Sequence, residues 1–147
     1  MVDITRLRKN AEKKTISVAA AEIRHGDVSS TALQELFNLP GNCLIVEAGV
    51  VVEEAGQANL TVDFGFDGGN ELGNDLDIDG TGYVDVDIAA SGNAETIQKA
   101  PRILTGTGKT VTAKFSADPT AGKFIFIVNY IEYTLGNGNL MSYGDGV

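Results

Sequence analysis

Apolar and polar residues alternate with a period of two along several short runs of the chain. In Thr110-Val111-Thr112-Ala113-Lys114-Phe115 the residues Val111, Ala113 and Phe115 fall on one face. Leu60, Val62 and Phe64 alternate with Thr61 and Asp63 ahead of Gly65, and Val84, Val86 and Ile88 alternate with Asp85 and Asp87. Successive side chains of an extended chain point to opposite sides, so each run predicts a strand with one buried and one wet face. Two runs depart from this rule. Ile45 to Val52 is apolar on both faces apart from Glu47, and Phe124 to Ile131 is apolar on both faces apart from Asn129. A strand without a wet face is covered from two sides, and a small antiparallel sandwich has no third layer to supply the second cover. A neighbouring protomer is the economical source of it.

Turn clusters separate these runs: Asp67-Gly68-Gly69-Asn70, Ser91-Gly92-Asn93, Thr105-Gly106-Thr107-Gly108 and Asp118-Pro119-Thr120-Ala121-Gly122. Their spacing suits a meander or Greek-key sandwich. Thr15 to Ile23 reads as a further strand, although Val18-Ala19-Ala20-Ala21-Glu22 also tolerates a helix. Helix signals are otherwise few. Thr31-Ala32-Leu33-Gln34 fits a capping box and predicts one or two helical turns over Leu33 to Phe37, ended by Pro40. Thr5 to Lys14 is a weaker candidate for an exposed basic helix. The predicted fold class is all-β, an antiparallel β-sandwich over residues 15–135. A basic arm, residues 1–14, precedes it, and a Gly/Asn-rich tail, residues 136–147, follows.

Composition sharpens this. The chain has 147 residues, the size of one domain, and 18 glycines against 3 prolines, consistent with many tight turns around a real core. Its single cysteine, Cys43, excludes an intramolecular disulfide framework and reads as a small buried hydrophobe within Cys43-Leu44-Ile45-Val46. No stretch approaches the ~20 apolar residues of a membrane span, and the first residues lack the apolar core of a signal peptide. The expectation is synthesis in a host cytoplasm and no membrane partner. With a formal charge of −9, binding to nucleic acid over a broad face is not expected. The charge is uneven. Residues 1–24 carry six bases and three acids, a net of +3, whereas the rest carries five bases and seventeen acids, a net of −12. Such an arm suits an acidic partner surface or a solvated leader.

Candidate chemistry is sparse. Asp75-Leu76-Asp77-Ile78-Asp79-Gly80 matches the first half of a calcium loop, but the position of the bidentate Glu is Val86. The plainer reading is two strands with acidic wet faces joined by Gly80-Thr81-Gly82, with a loosely held cation as the alternative. His25 sits in a probable turn with no nucleophile to serve, and one His with one Cys excludes a zinc cluster. Gly106-Thr107-Gly108-Lys109-Thr110 has the wrong spacing for a phosphate loop and is followed by a strand, not a helix. There are twenty acids but no tryptophan, and no aromatic-lined cleft pattern for sugars. No catalytic residue, metal ligand or cofactor is assigned, and the chain is not expected to be an enzyme.

Phe37-Asn38-Leu39-Pro40-Gly41-Asn42 leads into the valine-rich run. It is followed by Thr61-Val62-Asp63-Phe64-Gly65, a Gly/Asn/Asp loop, and Pro119-Thr120-Ala121-Gly122-Lys123 before Tyr130-Ile131. In this order of features, over residues 15 to 133, the chain resembles small β-sandwich, jelly-roll-like coat components of tailed bacteriophages. Some of these decorate or cement the outside of icosahedral heads, oligomerising at three-fold sites where capsid subunits meet. The long basic leader and the Gly/Asn-rich tail depart from the pattern. The resemblance implies a virion structural protein, a major capsid protein as partner, and a homotrimer on the outer capsid surface. Alternatives are a neck, tail or fibre-base component, or a carbohydrate- or host-surface-binding module. The expected partner-binding residues are Arg6, Leu7, Arg8, Lys9, Lys13 and Lys14 on the arm, with Ile125 and Ile127 on the two-faced apolar run.

Overall fold

A computed structural model describes residues 15–28, 32–85, 103–105 and 107–132. The predicted strands form, and they pair into two antiparallel sheets. The larger sheet runs β1 (Ser17–Arg24), β9 (Lys123–Glu132), β3 (Cys43–Glu54), β6 (Gly82–Asp85), with β7 (Ile103–Thr105) also paired to β3. The smaller runs β2 (Gln34–Leu39), β8 (Lys109–Phe115), β4 (Thr61–Phe66), β5 (Gly73–Asp77). β3 is long enough to hold β9 along one edge and to divide the other between β7 at Cys43–Ile45 and β6 at Gly49–Val52.

The pairings are nested. β1 pairs β9, β2 pairs β8, β3 pairs β6 and β4 pairs β5, so the chain is a long antiparallel ribbon rolled into two layers. That is the jelly-roll topology, in which first and last strands lie side by side.

The core lies between the layers, and the period-two pattern decides who enters it. β8 contributes Val111, Ala113 and Phe115, and Val62 and Phe64 enter from β4 with Leu60 just ahead of it, as the alternation predicts. β9 contributes Phe124, Phe126 and Val128. Aromatic contacts stitch the sheets together: Phe64 and Phe126 have centroids 5.2 Å apart, Phe115 and Phe124 5.6 Å, and Phe115 meets Phe126 edge-on. Each such pair adds about 0.5–1.5 kcal/mol beyond the area it buries.

Two sequence expectations are corrected. The capping box does not open a helix, because Gln34 to Leu39 is the strand β2, laddered to β8 and anchored by Leu39 at 2% exposure. The Gln34 amide donates to the Ala32 carbonyl at 3.0 Å. A few tenths of a kcal/mol of helix preference per residue yield to a full edge of ladder hydrogen bonds and an apolar anchor. The second correction concerns the aspartate-rich motif. β5 and β6 are not partners joined by a turn; they belong to different sheets. Ile78, fully buried, plugs the core where the chain crosses from one layer to the other. The ambiguous segment from Thr15 resolves as the strand β1. Val86 and Ile88, the Ser91 turn, the basic helix candidate Thr5 to Lys14 and the tail after Glu132 lie outside the described residues.

Candidate interaction surface

The outer faces of the two sheets differ in kind. The smaller sheet presents polar rows: Asp63 opposite Lys114, Thr61 opposite Asp77, and Asn38 opposite Thr110, whose hydroxyl donates to the Asn38 side chain at 2.8 Å. A shallow depression of about 230 Å³ lies there, lined by Thr61, Asp63, Asp75, Lys114, Phe115 and Ser116. Acids in and beside it are engaged locally, Asp75 Oδ2 with the Asn74 side-chain amide at 3.5 Å and the others with backbone N–H groups. Asp63 Oδ1 accepts from the Asp75 N–H at 2.9 Å, Asp77 Oδ1 from Asp79 N–H at 3.1 Å, and Asp79 Oδ2 from Asn59 N–H at 2.8 Å. Asn59 and Asp75 both have positive φ, at 63° and 50°, conformations that short polar side chains tolerate and stabilise locally. In the calcium-like run, therefore, Asp77 and Asp79 are turn-capping carboxylates, and Asp75 takes part through its own N–H. Among the described residues no group of three His, Cys, Asp or Glu side chains could hold a metal ion.

The larger sheet is apolar outside as well as inside. With Phe124, Phe126 and Val128 turned into the core, Ile125, Ile127 and Asn129 of β9 point outward. Register then builds three rows across the face. Glu22, Ile125, Val51 and Tyr83 form one, Ala20, Ile127, Gly49 and Asp85 the next, and Val18, Asn129 and Glu47 the third. Ile131 and Leu44 follow beyond. Val18 at 64% and Ile16 at 54% are the most exposed large apolar side chains of the described residues. Ile125 and Ile127, half-buried, lie where the two-faced apolar run predicts. The expected arm residues Arg6, Leu7, Arg8, Lys9, Lys13 and Lys14 fall outside the described residues.

A polar island interrupts this face, and only part of it was legible beforehand. Had β3 kept strict alternation from the buried Ile45, Glu47 would point into the core. The register instead shifts between Ile45 and Glu47, a bulge that takes up Val46, turns Glu47 outward and brings Ala48, Val50 and Val52 in. Glu47 then accepts two hydrogen bonds, from the Tyr83 hydroxyl at 3.2 Å and from Asn129 Nδ2 at 3.0 Å. Tyr83 lies flat across Gly49, where any Cβ would run into its ring and hydroxyl. Burial, and then the negative charge of Glu47, push the Tyr83 phenol up to about 12, so it remains a donor.

Neither partner of Glu47 is charged. By contrast, the acids at the opposite end of the same face are matched: Glu22 with Arg24 at 2.9 Å, and both Glu22 and Glu53 with Lys123. Among the described residues, Asn129 Oδ1 is buried and accepts no hydrogen bond. The arrangement performs no chemistry of its own. It offers a negative, acceptor-rich spot inside an apolar surface. The other singled-out residues are structural. Cys43 is buried, with its thiol donating to the Pro40 carbonyl at 3.0 Å, and His25 lies in a short 3-10 turn, His25–Asp27, beside the Gly122 carbonyl.

No protein-family model and no curated protein matches the sequence. Solved structures do match in fold. A chain of the acidic stable capsid of Helicobacter pylori bacteriophage KHP30 is similar over 81% of this chain and 91% of its own, at 20% identity and a TM-score of 0.51. A chain in the capsid of Ralstonia phage GP4 is similar over 82% and 86%, at 23% identity and a TM-score of 0.61. A chain in the cyanophage Pam1 capsid asymmetric unit is similar over the same shares, at 12% identity and a TM-score of 0.59. The three likenesses establish a common jelly-roll-like fold.

Proposed function

We propose that the protein is a structural component of a tailed-phage virion, and specifically a decoration protein that cements the outer surface of the head. It would act as a homotrimer bridging copies of the major capsid protein. The observation that carries this reading is the unlike character of the two outer faces. One sheet has an ordinary wet surface, whereas the other presents apolar side chains on its outer face, Val18, Ile125, Ile127, Val51, Leu44 and Ile131, around the polar island of Glu47 and Asn129. Contiguous apolar surface of that kind marks a protein–protein contact. Supporting it, chains of the same fold occur in capsids of phages from three unrelated hosts. The polar depression on the smaller sheet has no aromatic platform exposed for stacking a sugar, so it does not favour a carbohydrate-binding reading.

The test is co-sedimentation of the purified protein with heads of the cognate phage stripped of it, combined with thermal challenge of the heads. Saturable binding and a raised rupture temperature are expected. Heads that neither bind the protein nor gain stability from it would eliminate the cement role.

A further inference from the structure

Glu47 is an exposed carboxylate set among apolar residues, without a cation among the described residues, beside a buried acceptor that lacks a donor. A carboxylate in such a place invites a basic side chain, a guanidinium or an ammonium. The rest of the acidic body has few bases to spare, because two of those near this face, Arg24 and Lys123, are already paired. The surplus lies in the fourteen residues that precede Thr15, which hold Arg6, Arg8, Lys9, Lys13 and Lys14.

Geometry says whose arm it is. β1 is an edge strand of this sheet, and Val18 stands in the same row as Asn129 and Glu47. Each arm therefore leaves the body at the margin of the apolar face. An extended arm of fourteen residues reaches up to about 46–50 Å. Crossing from β1 to Glu47 takes only about 10 Å at ~4.8 Å per strand. The face itself is roughly 19 Å by 27 Å, about 500 Å², against the ~800 Å² per partner of a stable interface. A second copy needs more than the face, and an exchanged arm supplies it.

We propose that Glu47, with Asn129 beside it, is the seat for a basic side chain on the N-terminal arm of a second copy, so that exchanged arms hold copies together across the apolar face. This rests on the reading of the protein as a self-associating cement, but it is tested without phage heads, so the two stand or fall separately.

Association of the full chain is measured by sedimentation velocity over a concentration series at low and high salt, with thermal melts as the control for folding. Glu47→Gln should melt like the parent yet associate about tenfold more weakly and with less dependence on salt. Two further chains then separate the copies: one carries Glu47→Arg, the other Glu in place of Arg6, Arg8, Lys9, Lys13 and Lys14. Each alone should be dissociated, and mixing them should restore a hetero-oligomer. A parent that stays monomeric throughout overturns the proposal, as does a Glu47→Gln chain with unchanged association. Recovery only when both changes are placed in one chain, and never on mixing, would put the arm on its own body and equally overturn it. Should Glu47→Arg fail to fold, the Glu47→Gln comparison still decides.

Discussion

Gly122 and Tyr83 show how single residues set the geometry of this face. Gly122, at φ 117°, sits in a conformation that side chains rarely adopt, and a Cβ there would strike the Phe124 ring. It lets β9 begin with Phe124 already seated in the core. Tyr83 has a different part. Its phenol is raised to about 12, first by burial and then by Glu47, whereas an unfolded tyrosine titrates near 10. A group whose folded value is the higher contributes stability that is complete below about pH 10 and is lost as pH rises toward 12. Other tyrosines and lysines titrate there too, so the comparison must be between variants. The advantage in melting temperature of the parent over Tyr83→Phe should shrink between pH 10 and 12, and should be constant between pH 7 and 9. A difference that stayed flat across both windows would show that the folded chain does not raise the phenol.

At the level of elements, legibility followed the strength of the alternation. The core-facing residues of β4 and β8 could be read from the alternation of Val62, Phe64, Val111, Ala113 and Phe115 with polar neighbours, although Thr112, expected on the wet face, is buried with its hydroxyl accepting from Gly68 N–H. β9 announced its two apolar faces through Phe124 to Ile131. β2 was misread because a capping box is a local signal, while its partner β8 lies seventy residues away and leaves no local mark. The bulge in β3 was legible only as an anomaly, one Glu in a run of valines; nothing in the sequence says that Val46 is the residue taken out of register. Tyr83 and Asn129 became part of the surface only through the pairing of β3 with β6 and β9. The division of β9 into an inner and an outer face predicts two distinct phenotypes. Phe126→Ala removes a fully buried ring and should cost about 3–5 kcal/mol of stability. Ile127→Asp alters the outer row, beside Gly49 and Ala20, and should leave the melt nearly unchanged while abolishing self-association. Circular dichroism melts and light scattering on both variants separate the two; an unfolded Ile127→Asp would place that side chain in the core.

For the molecule as a whole, the charge distribution and the rolled ribbon lead to one picture. Asp75, Asp77 and Asp79 contribute to the negative body, yet Asp77 and Asp79 cap backbone N–H groups of the turns around them and Asp75 donates its own N–H to Asp63, so chelator should leave the melting temperature unchanged. A fall of tens of degrees would reveal a cation that the capping geometry conceals. The basic arm is the counterpart to that body. Both sheets, the aromatic contacts between them and every core residue named above lie between Ser17 and Glu132. Exposed ion pairs are worth only about 0–1 kcal/mol each, whereas full burial of Ile4 or Leu7 would add about 1.5–3 kcal/mol. The arm's grip should therefore combine salt-sensitive steering with apolar contact, set against the entropy lost in ordering it. Deleting residues 1–14 should leave a chain that melts within a few degrees of the parent but decorates heads many-fold more weakly, with a flatter dependence on salt. Decoration of unchanged affinity and unchanged salt dependence would reduce the arm to a solvated leader and leave the apolar face to hold the assembly alone.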